Sequence, residues 1–119
     1  MASFVNFSNH PSSLWDEAQI RESERYGEIR DIPFPMVSPS LDEQGVAEIA
    51  EEYVKRILAE DPAAVMCQGE FTLCFEVVQK LRNRNIPVLA ACSERRTISE
   101  GNTKLSEFTF VRYRRYFQE

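Results

Sequence analysis

The sequence predicts a small α/β domain built on a mainly parallel sheet with helices on both faces. Two short apolar runs, at 63–67 and 86–92, have the composition of strands that are buried on both faces. A segment with helical spacing of apolar residues precedes each run, as expected where helices cross over between parallel strands. The chain has 119 residues, the length of one domain, so residues 1–119 are assigned to a single Rossmann-like unit.

The first half of the chain begins with a predicted strand at 3–7, where strand-forming residues follow one another. A polar turn at 8–13 separates this strand from a helix that we expect over 14–26. Ser13 is expected to cap that helix, because Asp16 three residues later completes a capping box. The apolar side of the helix is expected to comprise Leu14, Trp15, Ala18 and Ile20.

The second strand is predicted at 28–34, and because it contains Pro33 we expect it at the edge of the sheet. Ser40 and Glu43 form a second capping box before the clearest helix in the chain. The apolar residues of this helix repeat at intervals of three and four, which defines one amphipathic face. They are Val46, Ile49, Ala50, Tyr53, Val54, Ile57 and Leu58.

The second half continues with a helix expected over 71–83 and then the buried strand at 86–92. The segment 93–104 is polar and contains a strong turn signal at 100–102. No room remains for a crossover helix, so the last strand, 105–117, is expected to form an antiparallel hairpin with the strand before it. The resulting sheet has the order 2-1-3-4-5 with an antiparallel edge strand. Alternation along the last strand assigns Phe108 and Phe110 to one face, and Val111, Tyr113 and Phe117 to the other.

The charge and composition of the chain limit which classes of partner and which cellular location are expected. A net charge of −5 argues against a duplex nucleic acid as the partner, but clustered arginines are compatible with a small anion. No apolar run approaches the roughly 20 residues that cross a bilayer, and the N-terminus lacks a signal peptide. We therefore expect no membrane partner and a cytoplasmic location. Cys67, Cys74 and Cys92 are interpreted as buried free thiols in a reducing compartment.

Known metal and phosphate motifs are missing from the sequence. The chain has one histidine and no Cys-x-x-Cys pair, so no metal and no cofactor are expected. It contains neither a Walker A loop nor Gly-x-Gly-x-x-Gly. Cys92 does not begin a Cys-x5-Arg phosphatase loop, because Ile98 occupies the arginine position. Any hydrolysis by this chain is therefore expected to proceed without a metal ion.

The functional site is expected beyond the carboxyl ends of the strands, at the point where the strand order reverses. The turns at 8–13 and 68–72 meet there, and the segment starting at 93 lies one strand further along. The candidate catalytic residues are His10, Glu70 and Arg95. The candidate ligand-binding residues are Ser8, Asn9, Ser12, Ser13, Gln68, Gly69, Thr72, Ser93 and Arg96.

Each of these residues has a functional and a structural interpretation. His10 hydrogen-bonds a ligand or does acid–base work, or it is an exposed loop histidine. Glu70 acts as a base or bonds ribose hydroxyls, or it favours a helix dipole. Arg95 and Arg96 offer the guanidinium fork that grips phosphate, but adjacent strand residues point to opposite faces, so only one is expected to reach the crevice. Ser12 and Ser13 bind an anion, cap the first helix, or do both.

Two turns of the chain resemble those of a known family. They are the polar turn Asn9-His10-Pro11-Ser12-Ser13 after the first strand and the turn Gln68-Gly69-Glu70-Phe71-Thr72 after the third. The chain is similar in outline to the small ancillary proteins of type III CRISPR systems, which contain a CRISPR-associated Rossmann fold (CARF). The resemblance implies a homodimer that binds a cyclic oligoadenylate across its two-fold axis, and some such proteins are ring nucleases. It also implies that Ser12, Ser13, Gln68, Gly69 and Thr72 contact the ligand, while His10 or Arg95 assists attack by a ribose 2′-hydroxyl.

Three functions stay open at this point. The first is a second-messenger binder, with or without ring-nuclease activity. The second is a different enzyme on the same scaffold, such as a small hydrolase or a nucleoside-phosphate transferase. The third is a protein-interaction module that uses its hairpin edge and has no ligand. The fold cannot choose among them, because this architecture hosts many functions.

Overall fold

The structure is a computed structural model, and it describes residues 2–116. Its strands are β1 (Ser3–Ser8), β2 (Glu28–Pro33), β3 (Pro62–Cys67), β4 (Val88–Glu100) and β5 (Thr103–Arg115). Its helices are α1 (Glu17–Glu24), α2 (Glu43–Leu58) and α3 (Phe71–Arg82), with a short 3₁₀ helix at Ser12–Leu14. Among the described helices, none has the length and apolar composition of a membrane span.

The five strands form one mixed sheet in the order β2-β1-β3-β4-β5, which confirms the predicted α/β fold. β1 pairs in parallel with both β2 and β3, and β3 pairs in parallel with β4. β4 and β5 are antiparallel, as the absence of a crossover segment indicated. The order reverses between β1 and β3, so the carboxyl ends of these two strands border the crevice of this fold.

The helix caps differ from those predicted. Neither Ser13 nor Ser40 caps a helix; Asp16 Oδ1 accepts from the Gln19 backbone N–H at 2.9 Å, and Asp42 caps α2 in the same way. Aspartate and serine are equally good N-caps, so a capping box read from spacing alone can choose the wrong member of the pair. As a consequence α1 is shorter than predicted at both ends.

Two apolar clusters cover the two faces of the sheet. The larger one lies under α2 and α3 and includes Phe7, Val65 and Leu81. The smaller one lies on the α1 side and includes Phe4 and Met66.

The predicted apolar face of α1 was wrong for Leu14 and Ala18, whereas Trp15 and Ile20 are half-buried and Trp15 packs against the smaller cluster. Leu14 is 80% exposed and Ala18 is exposed, whereas Gln19 and Ser23 are the buried residues of the helix. Both side chains hydrogen-bond the Tyr113 hydroxyl, at 3.2 and 2.7 Å. This helix therefore packs through a polar contact with β5, which an apolar periodicity does not predict.

Beyond the sheet, β4 and β5 continue as a two-stranded ribbon over residues 93–110, which we call the arm. β4 runs past the predicted end at residue 92, and only Val88 and Leu89 pair with β3. The pairing register shifts between Cys92 and Ser93, so Val111 is an extra residue on β5. This bulge puts Phe110 and Tyr113 in one buried cluster, which corrects the predicted faces. Phe117 lies outside the described residues.

Candidate functional site

A cavity of about 560 Å³ opens at the predicted crevice, beside the carboxyl ends of β1 and β3 and against the first part of the arm. Three of the residues predicted from the sequence line it: His10, Gln68 and Ser93. The remaining lining residues come mainly from the start of α1 and from the arm. They are Leu14, Trp15, Asp16, Gln19, Met66, Ala91, Phe108 and Phe110.

The turn that carries His10 is held by a buried asparagine. Asn6 is 1% exposed, and its Nδ2 donates to the His10 carbonyl at 2.8 Å and to Asp31 Oδ1 at 3.1 Å. Ser8 Oγ donates to Asn6 Oδ1 at 2.6 Å and accepts from the His10 N–H at 3.1 Å. Trp15 Nε1 adds a bond to the same His10 carbonyl at 3.1 Å. The backbone of His10 is therefore fixed while the residue itself stays exposed at the cavity.

The other polar residues of this first turn lie away from the cavity. The backbone N–H and hydroxyl of Ser12 both donate to Asp31 Oδ2, at 3.1 and 3.0 Å. Ser8 and Asn9 line a separate cavity of about 140 Å³ on the β2 side. Ser13 is exposed and lines neither cavity. The six-residue turn thus contributes only His10 to the larger cavity.

In the second turn, Gln68 is the residue that reaches the cavity. Its Oε1 accepts from the Ala91 N–H at 2.8 Å, which ties the end of β3 to β4. Gly69 instead lies against an aromatic ring, because a Cβ built on it would be 2.5 Å from ring atoms of Phe34. The close approach that glycine allows here is to the core of the protein.

Glu70 and Thr72 belong to the start of α3. Glu70 Oε1 accepts from the Thr72 hydroxyl at 2.6 Å and from the Leu73 N–H at 2.9 Å. These hydrogen bonds, that of Thr72 first, hold the pKa of Glu70 below its usual value and keep the carboxylate charged. Neither residue lines the crevice cavity. The Glu70 carboxylate therefore caps the N-terminus of α3.

The arm brings one of the two candidate arginines to the side of the cavity. Arg95 pairs with Phe108, and Ser93 pairs with Phe110, so these four side chains share one face of the ribbon. Arg96 pairs with Glu107 on the opposite face. Arg95 Nη2 donates to Ser106 Oγ at 3.2 Å, just beyond the residues that line the cavity.

Aromatic residues of the cavity were missed as site residues. Trp15 and Phe108 both line it; Trp15 is half-buried, and Phe108 is 70% exposed. The exposure of Phe108 leaves its ring face available for stacking. Phe108 could have been found from the sequence, because the alternation of apolar and polar residues along the last strand distinguishes it from its polar neighbours.

Asp16 was also missed, and it connects the helix to the arm. Its Oδ1 caps α1, and its Oδ2 accepts from the Phe110 N–H at 3.0 Å. Both carboxylate oxygens therefore accept hydrogen bonds from backbone N–H groups. These donors reduce the repulsion between the Asp16 carboxylate and a negatively charged ligand. No sequence pattern places the bulged backbone of β5 beside this helix.

The cavity combines three aromatic side chains, two amides, an imidazole and the hydrogen-bonded carboxylate of Asp16, with a guanidinium nearby. Aromatic rings stack with planar groups, and the guanidinium binds phosphate or carboxylate. Within residues 2–116 no group of three or more histidine, cysteine, aspartate or glutamate side chains is placed to hold a metal ion. The arrangement suits a planar ligand that carries negative charge.

Comparison with known proteins supplies a family but no activity. The model of the uncharacterized protein MJ1673 family matches residues 2–114. Comparison with curated proteins gives no match. Because the family match covers nearly the whole chain, the chain belongs to the uncharacterized protein MJ1673 family.

Proposed function

We propose that the crevice cavity binds a phosphate-bearing nucleotide and that cyclic oligoadenylates, as messengers of type III CRISPR signalling, are the ligands to test first. One observation carries the proposal: an aromatic-walled cavity of about 560 Å³ lies at the topological switch point of the sheet, where this fold binds its ligands. In this proposal the protein acts in the cytoplasm, without a cofactor.

The residues around the cavity have separate roles in the proposed complex. An adenine ring stacks on Trp15 or Phe108, since each base presents a π-face to an aromatic side chain. Among the described residues the Gln68 amide nitrogen has no hydrogen-bond partner, so it is available to a base edge. Arg95 binds a phosphate with its remaining donors.

Cleavage is the second part of the proposal and rests on His10. Its imidazole lies at the cavity and can act as a general base. A ribose 2′-hydroxyl held in line with the adjacent phosphorus would attack it, His10 would take the hydroxyl proton, and Arg95 would stabilise the charge on the phosphoryl oxygens. The step forms a 2′,3′-cyclic phosphate and breaks the bond to the 5′-oxygen, which leaves with a proton from water.

A homodimer belongs to the same proposal. An isolated two-stranded ribbon is at best marginally stable in water, and the arm is exposed over residues 93–109. Ile98 and Leu105 pair on the face of the arm opposite Phe108, and they expose 37% and 54% of their surfaces. Contact with a second copy of the chain would cover this surface. The same surface favours the alternative function, a protein-interaction module that binds a different partner through the arm.

The ligand proposal is tested by a thermal-shift titration with cyclic tri-, tetra- and hexa-adenylate in EDTA. A ligand at 100 times its Kd stabilises the fold by about 2.7 kcal/mol, which raises Tm by several degrees. Mass spectrometry of the same samples separates binding from cleavage, because a ring nuclease releases linear products. We expect a shift with at least one ring size.

Two arginine variants serve as test and control. Arg95→Ala is expected to weaken binding about tenfold, because a hydrogen bond to a charged group contributes about 1.5 kcal/mol or more. Arg96→Ala removes the same side chain from the opposite face and should leave the affinity unchanged. Equal losses in the two variants would contradict the assignment of the crevice face. No shift with any ring size would overturn the proposal and favour the interaction module.

A further inference from the structure

Two cysteines meet beneath the second crevice turn. Cys67 is the last residue of β3, and Cys74 lies in the first turn of α3. Their Sγ atoms are 3.6 Å apart, and neither forms a disulfide. The sulfurs of a disulfide are about 2.05 Å apart, so bond formation requires only a small local movement. The pair is therefore close enough for direct reaction between its two sulfurs.

The surroundings make one thiol of the pair the more reactive. The hydrogen bond with Cys67 lowers the pKa of Cys74 to about 7, and contact with the Tyr116 hydroxyl at 3.7 Å adds to this effect. The same pairing, together with burial, raises the pKa of Cys67. Cys74 retains 8% exposure, whereas Cys67 has none. A reagent from solution would therefore meet the Cys74 thiolate first.

We propose that Cys67 and Cys74 form a reactive dithiol site that takes a peroxide as its oxidant and closes to an intramolecular disulfide. The Cys74 thiolate attacks one peroxide oxygen, the O–O bond breaks, and Cys74 becomes a sulfenic acid while hydroxide leaves. The Cys67 sulfur then attacks the Cys74 sulfur, the S–O bond breaks, and water is released after proton transfer. Two thiols and one hydrogen peroxide give one disulfide and two waters.

The disulfide would act on the wall of the crevice. Residues 68–73 connect the two cysteines, and Gln68 lines the cavity. Closing the sulfurs would constrain this turn at both ends, so the oxidation state of the pair would set the position of Gln68. Disulfides in reducing compartments are usually transient and catalytic or regulatory, and two free thiols this close together suit such a role.

The test is the state of the three cysteines after exposure of the purified wild-type chain to hydrogen peroxide. The protein is then denatured in the presence of a maleimide, which labels every remaining thiol. The intact mass gives the number of labelled cysteines. We expect labelled cysteines to fall from three to one, with Cys67 and Cys74 joined in a peptide map and Cys92 labelled. Dithiothreitol should restore all three labels. This readout needs no nucleotide, so its outcome is independent of the proposed function.

Single variants identify the roles of the two sulfurs. Cys92→Ser should leave no labelled cysteine after oxidation, because the reactive pair is intact. Cys67→Ser should accumulate a sulfenic acid at Cys74 that dimedone traps, whereas Cys74→Ser should accumulate none. Three labelled cysteines in the oxidised wild-type chain, or a disulfide that contains Cys92, would overturn the proposal whether or not the serine variants fold.

Discussion

Replacing Asn6 with leucine is expected to lower the free energy of unfolding by about 2 kcal/mol, or about 8 °C in Tm. Leucine has the same branched arrangement of side-chain heavy atoms as asparagine, so the change removes hydrogen bonds without opening a cavity. The Ser8 hydroxyl would lose its 2.6 Å acceptor, and the His10 carbonyl would lose its shortest donor. Buried polar groups that lose their partners are costly, and Asn6 is almost fully buried.

Asn9→Leu is the matched control for this change. Asn9 lies in the same turn and is exposed, so its replacement should change stability by less than about 0.5 kcal/mol. Chemical denaturation of both variants measures the difference directly. Equal stability of the two variants would show that the hydrogen bonds of Asn6 do not hold the turn.

Gly69→Ala is expected to destabilise the fold by about 2 kcal/mol, because the new methyl group would lie 2.5 Å from the Phe34 ring. That ring cannot easily withdraw, since it is buried and its centroid lies 4.7 Å from that of Phe7. Either Phe34 or the turn must move. The cost therefore measures how tightly the crevice turn is packed onto the core.

A double-mutant cycle with Phe34→Leu tests the cause. Leucine in place of the ring leaves space for the methyl group, so Gly69→Ala should cost much less in the Phe34→Leu background. Unfolding free energies of the wild type, both single variants and the double variant supply the cycle. Additive losses would mean that the alanine is unfavourable for a reason other than contact with Phe34.

The sheet order could be predicted from the sequence because few topologies satisfy the element pattern. Parallel strands joined by helices cross over with one hand, and a chain without room for a last crossover must end in a hairpin. The length of the arm could not be predicted in the same way. Residues 93–100 face solvent instead of a core, so they lack the apolar alternation that identifies a half-buried strand.

The location of the candidate site could be predicted from the sequence, but most of its lining residues could not. The switch-point rule located the crevice, and His10, Gln68 and Ser93 do line it. Glu70 caps its own helix, and Ser12 hydrogen-bonds Asp31 of β2; the sequence does not contain the geometry of either contact. The bulge at Val111 decides which residues of β5 face the cavity, and no residue type uniquely marks a bulge of this kind.

The central claim, that the crevice cavity binds a nucleotide, is tested most directly by the fluorescence of Trp15. It is the only tryptophan of the chain and lines the cavity, so its emission reports on that site alone. Excitation at the long-wavelength edge of the tryptophan absorption band is used, because adenine does not absorb there. We expect a saturable change in emission on titration with a cyclic oligoadenylate, with a Kd that Arg95→Ala raises and Arg96→Ala does not. Emission that stays constant while the ligand shifts Tm would contradict binding in this cavity.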